Sequence, residues 1–459
     1  MLTSNLQEYV PQFTGYTELR MQENRNLSIG FLKGNNTRNV KSTTSGISAR
    51  VYQHGAWGFA SSPDFTSESF RLVIASAGHN AQFLAKKANL GKPQLPVNSG
   101  AGSNSFATTK PRLKQRQLID FIKQLDSYIG DKYPDLSSRS VSLNCLDMEK
   151  SLLTSDGSEA YSLIPRTIIA VSLTMDSEGK PLDLYDVFGG LGQFEDVFDN
   201  PEVLYGRIDS LYEHIRAKQS GVYASAGVKE CILDPELAGI LAHEAIGHTT
   251  EADLVLGGSI AANYLNKEVA SPLVTLIDFA NTAMGQTCPV PVYIDDEGTE
   301  ADDAYIIDQG VLKGYMHNKE SANHFKVAPT GNGRAYQFSD EPLIRMRNTA
   351  IMPGQSKLAA MISSVEDGYY LIRPNNGQAD TTSEFMFGVV LGYEIKSGKL
   401  GRGIKDTTIS GVAFDMLKTI TMISDDMQWS AAGMCGKKQP IPTGMGGPAI
   451  KCRVNIGGR

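Results

Sequence analysis

Apolar and polar residues alternate near the start of the chain. Leu27–Phe31 and Ile47–Tyr52 follow the two-residue period of a strand, and His54-Gly55-Ala56-Trp57-Gly58-Phe59 reads as a tight turn into a further strand. From Ser67 to about Lys87 the apolar spacing becomes helical. Pro, Gly, Ser and Asn crowd Gly91–Ala107, which marks a linker. A second helix is predicted from about Lys114 to Ile129. Strand-like runs then follow at Ser140–Cys145, Ser151–Thr154 and Thr167–Leu173, set off by the turn pairs Asp156-Gly157 and Glu178-Gly179. Helix returns over Asn200–Gln219. Beyond Gly221 one helix precedes many short strands punctuated by glycine. The pattern predicts an α+β fold in three parts: an N-terminal α+β domain over 1–105, a middle α+β domain over 106–220 and a large, mainly-β C-terminal domain over 221–459.

Composition narrows the class without changing this outline. With 459 residues, 41% of them hydrophobic, the chain is long enough for two or three well-filled cores. A net charge of −7 offers no basic field to nucleic acid or to an anionic membrane. No apolar run approaches the roughly 18 residues of a membrane span. The first residues lack a charged stretch followed by an apolar core, so no signal peptide is expected. Five scattered cysteines argue against a disulfide framework. The expected location is cytoplasmic. No internal repeat or low-complexity tract is evident.

The candidate chemistry sits on the helix after Gly221. Asp234-Pro235-Glu236 supplies an N-cap, a proline at the first helical position and an acidic first turn. Leu237, Ile240, Leu241 and Ala245 share an apolar face, and Glu244 and His248 project onto the same side. A buried carboxylate beside an imidazole is costly without a partner, and a metal would provide one. His243 and His248 with Glu244 make a zinc-hydrolase trio, one residue longer than H-E-x-x-H. On a regular helix, positions four apart lie about 40° from each other and positions five apart about 140°. Either the helix ends at Gly247 or a π-type turn brings the two histidines together, and glycine eases both. The residues leave the third ligand open among Glu251, Asp253, His317, His324 and the cysteines. Cys452 alternates with core positions of a strand, and Cys231 lies in an apolar run, so both read as core. Cys435 lies in a glycine-flanked loop beside Lys437 and Lys438, where thiolate is favoured. Gly331-Asn332-Gly333-Arg334 and Gly444-Met445-Gly446-Gly447 match no phosphate-binding pattern. Arg345, Arg347, Asn348 and Thr349 are candidates to line a substrate groove, with Arg345 and Asn348 the two carried forward.

Taken together these stretches resemble the TldD/PmbA family of metallopeptidases, on its metal-binding TldD side. The likeness extends over nearly the whole chain. It is carried by His243–His248 in the H-E-x-x-x-H form with Glu251 and Asp253 after it, by Gly55–Phe59, Asp295–Gly298, Pro329–Arg334, Arg345–Thr349, and by the closing run from Cys435-Gly436-Lys437 to Gly457-Gly458. The start is shorter than in members that carry a long N-terminal helix. The resemblance implies a zinc-dependent endopeptidase acting on unfolded or extended peptides. It implies His243, His248 and Cys435 as Zn²⁺ ligands and Glu244 as general base. It further implies a homodimer, or a heterodimer with a TldE/PmbA-like subunit that lacks the metal motif. Two other classes share the zinc site: a zinc-stabilised peptide-binding scaffold, which needs no base at Glu244, and a small-molecule amidase, which needs a closed pocket.

Overall fold

The computed structural model describes residue 2, residues 5–88 and residues 94–457. The N-terminal half is organised by one seven-stranded sheet. Its strands are β1 (Tyr16–Leu32), β2 (Asn35–Gln53), β3 (Ala56–Ser62), β4 (Ala101–Ser105), β5 (Ser138–Thr154), β6 (Glu159–Ser177) and β7 (Lys180–Leu191). They run in the order β3-β2-β1-β5-β6-β4, with β7 also paired to β6. His54 and Gly55 turn the chain from β2 into β3 with φ of 51° and 85°, as the turn motif requires. The sequence runs are therefore pieces of much longer strands: Ser140–Cys145 and Ser151–Thr154 belong to a single β5.

One face of this sheet is apolar and covered by helices. Helix α1 (Ser67–Ala88) lays Phe70, Val73, Ile74, Ala77 and Ala81 on Ile47, Ala49 and Val51. Helix α2 (Gln115–Lys132) buries Leu118, Ile122, Leu125 and Ile129 on Val141, Leu143, Val171 and Leu173, and the helix Tyr205–Gln219 adds Ile208, Leu211 and Ile215. Each such fully buried aliphatic side chain contributes about 1.5–3 kcal/mol of transfer free energy. Along β1 the opposite face is buried too, yet it is polar. Glu18, Arg20, Gln22 and Asn24 alternate with Leu19 and Met21, and all six are at most 3% exposed. Three of the four polar residues reach main-chain groups of the C-terminal half: Arg20 donates to Gln337 and Asp340, and Gln22 and Asn24 both donate to Tyr336. Alternation in the sequence marks two environments here, neither of them open solvent.

The sheet also crosses the expected domain boundary. β1 and β5, from the segments 1–105 and 106–220, pair from Glu18↔Thr154 to Leu32↔Ser140. Of the linker placed at Gly91–Ala107, residues 91–93 lie outside the described residues, and Ala101–Ser105 is β4, parallel to β6. A linker composition there is overridden by strand pairing.

From Gly227 the chain builds two larger sheets and, among the described residues, three two-stranded ones. One of the larger sheets runs Asp367–Ala379, Gly227–Leu233, Ile450–Ile456, Thr407–Val412, Glu384–Lys396, Lys399–Gly403. The other runs Val311–Leu312, Ala304–Asp308, Leu276–Phe279, Asn348–Ile351, Gly444–Gly447, Gln428–Trp429. The helix that begins at Pro235 is packed between them, with Leu237, Leu241, Ala245 and Ile246 in a core shared with Leu233, Leu276, Ile351 and Leu371. At Gly239 a Cβ would sit 2.8 Å from the Gly446 nitrogen, so glycine sets how closely the helix meets that strand. The glycine-rich run Gly444–Gly447 forms this strand. No helix among the described residues is long and apolar enough to cross a membrane.

Candidate metal centre

The site helix starts as its sequence requires. Asp234 accepts from the Glu236 amide at 3.1 Å, and Pro235 takes the first helical position. Pro235–Leu241 is regular α-helix, and Ala242–Gly247 is a π turn. Its closing hydrogen bond runs from the His248 amide to the His243 carbonyl, so the two histidines five residues apart are the residues the widened turn stacks. Their ring centroids lie 5.2 Å apart at 79°. A Cβ on Gly247 would stand 2.0 Å from Met346 Sδ, so any larger residue there must displace that buried side chain. Thr249 and Thr250 then donate their hydroxyls to the Ile246 carbonyl at 2.8 and 2.9 Å, serving a group the change of helix type releases.

Cys435 arrives from the other end of the chain, on Met434–Cys435 paired with Ile441–Pro442. One ligand-type atom each from His243, His248 and Cys435 lies within 4.8 Å of the others. His248 Nε2 faces Cys435 Sγ at 3.4 Å, while its Nδ1 meets Glu251 Oε2 at 2.7 Å. Glu251 Oε1 is ion-paired to Lys437 Nζ at 3.1 Å, and the same ammonium reaches Asp253 at 3.0 Å. Two guanidiniums hold the cysteine loop by its carbonyls: Arg345 donates to Cys435 at 2.8 Å and Gln439 at 2.7 Å, and Arg166 donates to Gly433 at 2.8 Å.

The donor set fits zinc on grounds internal to this structure. Both ring nitrogens of His243 are buried and hydrogen-bonded to nothing, and a metal ion would take one of them. Burial pushes the Cys435 thiol up, but the neighbouring His243 and His248 imidazoles more than reverse this and bring it to about 3. Burial lowers His248, and Cys435 and Glu251 outweigh that to raise it to about 10. Two imidazoles and a thiolate, with a carboxylate fixing one imidazole from behind, make a soft three-ligand set of the catalytic zinc type.

Glu244 is not the buried carboxylate expected from the helical projection. Its side chain is 25% exposed, with Oε2 at 3.6 Å from His248 Nε2 and Oε1 at 3.9 Å from His243 Nε2. It opens onto a cavity of about 1690 Å³ of non-atom space, part of it open to solvent, whose walls include Trp429, Gly433, Met434 and Arg373. The π turn explains the difference, because it rotates Glu244 away from the apolar face while aligning the histidines.

Arg345 and Asn348 do not line a groove. Arg345 is fully buried behind the cysteine loop, and Asn348 spends its amide on the Phe279 and Val290 carbonyls at 3.1 and 2.8 Å and accepts from Val290 at 2.9 Å. Arg347 and Thr349 are equally buried, both bonded to Asp278. These polar runs looked like solvated recognition residues because sequence alone does not show main-chain acceptors. Among the remaining ligand candidates, Glu251 stands behind His248 rather than within the His243–His248–Cys435 cluster. Asp253 pairs with Lys437, and His317 bonds Ser321 Oγ at 3.1 Å. Cys231 and Cys452 face each other across two core strands.

The family model described as PmbA/TldA metallopeptidase C-terminal domain matches residues 226–458, and the model of domain 1 matches residues 17–81. The zinc metalloprotease TldD homolog of Saccharolobus solfataricus is 28% identical over 420 residues, 90% of each chain. A metalloprotease of Methanocaldococcus jannaschii is 30% identical over 421 residues, again 90% of each. Among solved structures, TldE from Thermococcus kodakarensis superposes with a TM-score of 0.76 at 16% identity over 98% of each chain. A Thermotoga maritima protein described as a candidate modulator of a DNA gyrase gives 0.78 at 18% identity over 96% of each. The fold recurs from end to end in these structures, and sequence identity reaches 30% over nine-tenths of the chain, so this protein belongs to the TldD/PmbA family of metallopeptidases.

Proposed function

We propose that this chain is a zinc-dependent endopeptidase that hydrolyses unfolded or extended peptides, with His243, His248 and Cys435 as ligands and Glu244 as general base. The observation that carries the reading is the convergence of three ligand atoms within 4.8 Å beside a carboxylate that faces a large open cavity. When bound, zinc would polarise the scissile carbonyl and make a water acidic near neutral pH. The chain's own residues do the rest. Glu251 holds His248 Nδ1, which leaves Nε2 turned toward Cys435 and the ligand cluster. Glu244 takes the proton of the attacking water at its carboxylate and returns it to the leaving amine. The cavity draws on both halves of the chain, with Tyr185 and Asp186 from β7 and Glu236 and Arg373 from the C-terminal half. An open cleft of this size suits an extended chain better than a small amide. A second copy of this chain or a TldE-like subunit is the proposed partner, and the cytoplasm the proposed location.

The test is cleavage of an unstructured peptide by the purified protein beside Glu244→Gln, with zinc content measured for both. The expected result is equal zinc and a loss of about 10²–10⁴-fold in rate for the variant. Equal cleavage by both would remove Glu244 from its role. Zinc without cleavage in either, including after addition of a TldE-like chain, would leave a zinc-stabilised scaffold.

A further inference from the structure

A second cavity lies on the polar face of the N-terminal sheet, apart from the one that Glu244 faces. It holds about 890 Å³ of non-atom space, part of it open to solvent. Its floor is formed by β5 and β6, whose Leu146, Met148, Leu152 and Ile164 line it, and its roof by the loop Pro289–Ile294. Three cations face this largely apolar space: Lys150, Arg166 and Arg334. Lys150 is neutralised by Asp296 at 2.6 Å. The two arginines are not. Arg166 gives its guanidinium to the Ala431 carbonyl at 2.5 and 3.2 Å, to Gly433 at 2.8 Å and to Met434 Sδ at 3.8 Å. Arg334 donates to the Met346 and Pro442 carbonyls at 2.5 and 2.9 Å. Among the described residues, no carboxylate stands within ion-pair distance of either. Burial lowers both guanidiniums to about 10, which marks the cost of keeping them charged there.

Two buried guanidiniums with no carboxylate in ion-pair contact, at the edge of a largely apolar chamber whose two lining carboxylates, Asp295 and Asp296, are engaged elsewhere, leave room for an anion with an apolar body. We infer that this cavity is a binding site for an apolar carboxylate, its tail against Leu146, Met148 and Ile164 and its carboxylate on Arg166 and Arg334. The chemistry is met by a free aliphatic acid or by the C-terminus of an apolar peptide. Arg166 links the site to the metal centre, because the carbonyls it holds belong to the loop that carries Cys435 and walls the cavity of Glu244. A carboxylate that drew on Arg166 would be felt by that loop.

Calorimetric titration of the full chain with octanoate, octanamide, N-acetyl-leucyl-leucine and its C-terminal amide tests this without reference to peptidase activity. Failure here would therefore leave the proposed reaction untouched. Saturable binding of either acid is expected, with the matching amide at least about tenfold weaker. Binding of octanoate alone assigns the site to free acids, and binding of the peptide acid assigns it to peptide termini. Arg166→Gln should weaken the acid to the level of the amide. Ala160→Phe fills the chamber without touching either arginine and should abolish binding while thermal unfolding stays unchanged. Acids and amides binding alike, neither acid binding, or Ala160→Phe binding as well as the native chain would overturn the assignment.

Discussion

At the scale of single residues, the centre depends on groups that do not touch a metal. Glu251 is fully buried, yet it spans His248 on one side and Lys437 on the other, so one carboxylate orients an imidazole and ties down the loop of Cys435. Glu251→Gln keeps the size and removes the charge. The expected outcome is a fall in zinc affinity of about 10–100-fold, read by competition with a chromogenic chelator, with peptidase activity returning when zinc is supplied in excess. An unchanged affinity would show that packing alone orients His248. The sequence pointed to Glu251 only as a possible ligand. Its acidic character and its place three residues after His248 were visible, but its direction depends on Thr249 and Thr250 forming one tight turn beyond the π segment. Arg345 shows the opposite failure, since a cation in a polar run looks exposed until its acceptors, all main-chain carbonyls brought from residues 435 and 439, are known.

At the scale of elements, much was legible and the omissions have a common cause. Helix α1, the Asp234 cap and the His54-Gly55 turn followed from local spacing and turn chemistry. The five-residue spacing, which cannot converge on a regular helix, left either a helix end at Gly247 or a π turn, and the structure takes the second. The lengths of β1, β5 and β6 could not be read, since their polar residues are buried by a surface contributed by distant sequence. The π turn carries its own prediction. Gly247→Ala would drive a methyl into Met346, itself fully buried, and overpacking of this kind costs about 1–3 kcal/mol. The variant should unfold at lower denaturant and bind zinc less tightly, and Gly247→Ala with Met346→Ala should recover part of the zinc affinity in a double-mutant cycle. If the two changes proved additive, the contact would not be what reserves the position for glycine.

At the scale of the whole molecule, the two halves are joined by charge as much as by apolar contact. Arg50 on β2 is bonded to Glu18 on β1 at 2.8 and 3.0 Å, to Glu297 of the C-terminal half, and lies 3.8 Å over the Trp57 ring. All three charged groups are nearly or wholly buried. Replacing Arg50 by Met would leave two carboxylates without this cation, and breaking a buried pair from one side costs about 3–5 kcal/mol. The cost depends on pH in a defined sense. Burial raises Glu18, Arg50 opposes it, Glu297 adds to it, and the balance stands at about 7 against an ordinary value of 4.5. Without Arg50 it rises further. A carboxyl whose folded value is raised keeps its full contribution below the unfolded value and loses it as pH climbs through the folded one. Glu18 is protonated in both folded forms below about 7, so the gap in thermal midpoint between Arg50→Met and the native chain should stay level up to about pH 7 and widen above it. Adding Glu18→Gln and Glu297→Gln should close most of that gap and flatten its pH dependence. Because the cavity before Glu244 takes walls from both halves, peptide cleavage by Arg50→Met should fall along with stability, and the triple variant should regain it. A gap that stayed constant with pH would mean that Arg50 joins the halves through its packing on Trp57 rather than through its charge.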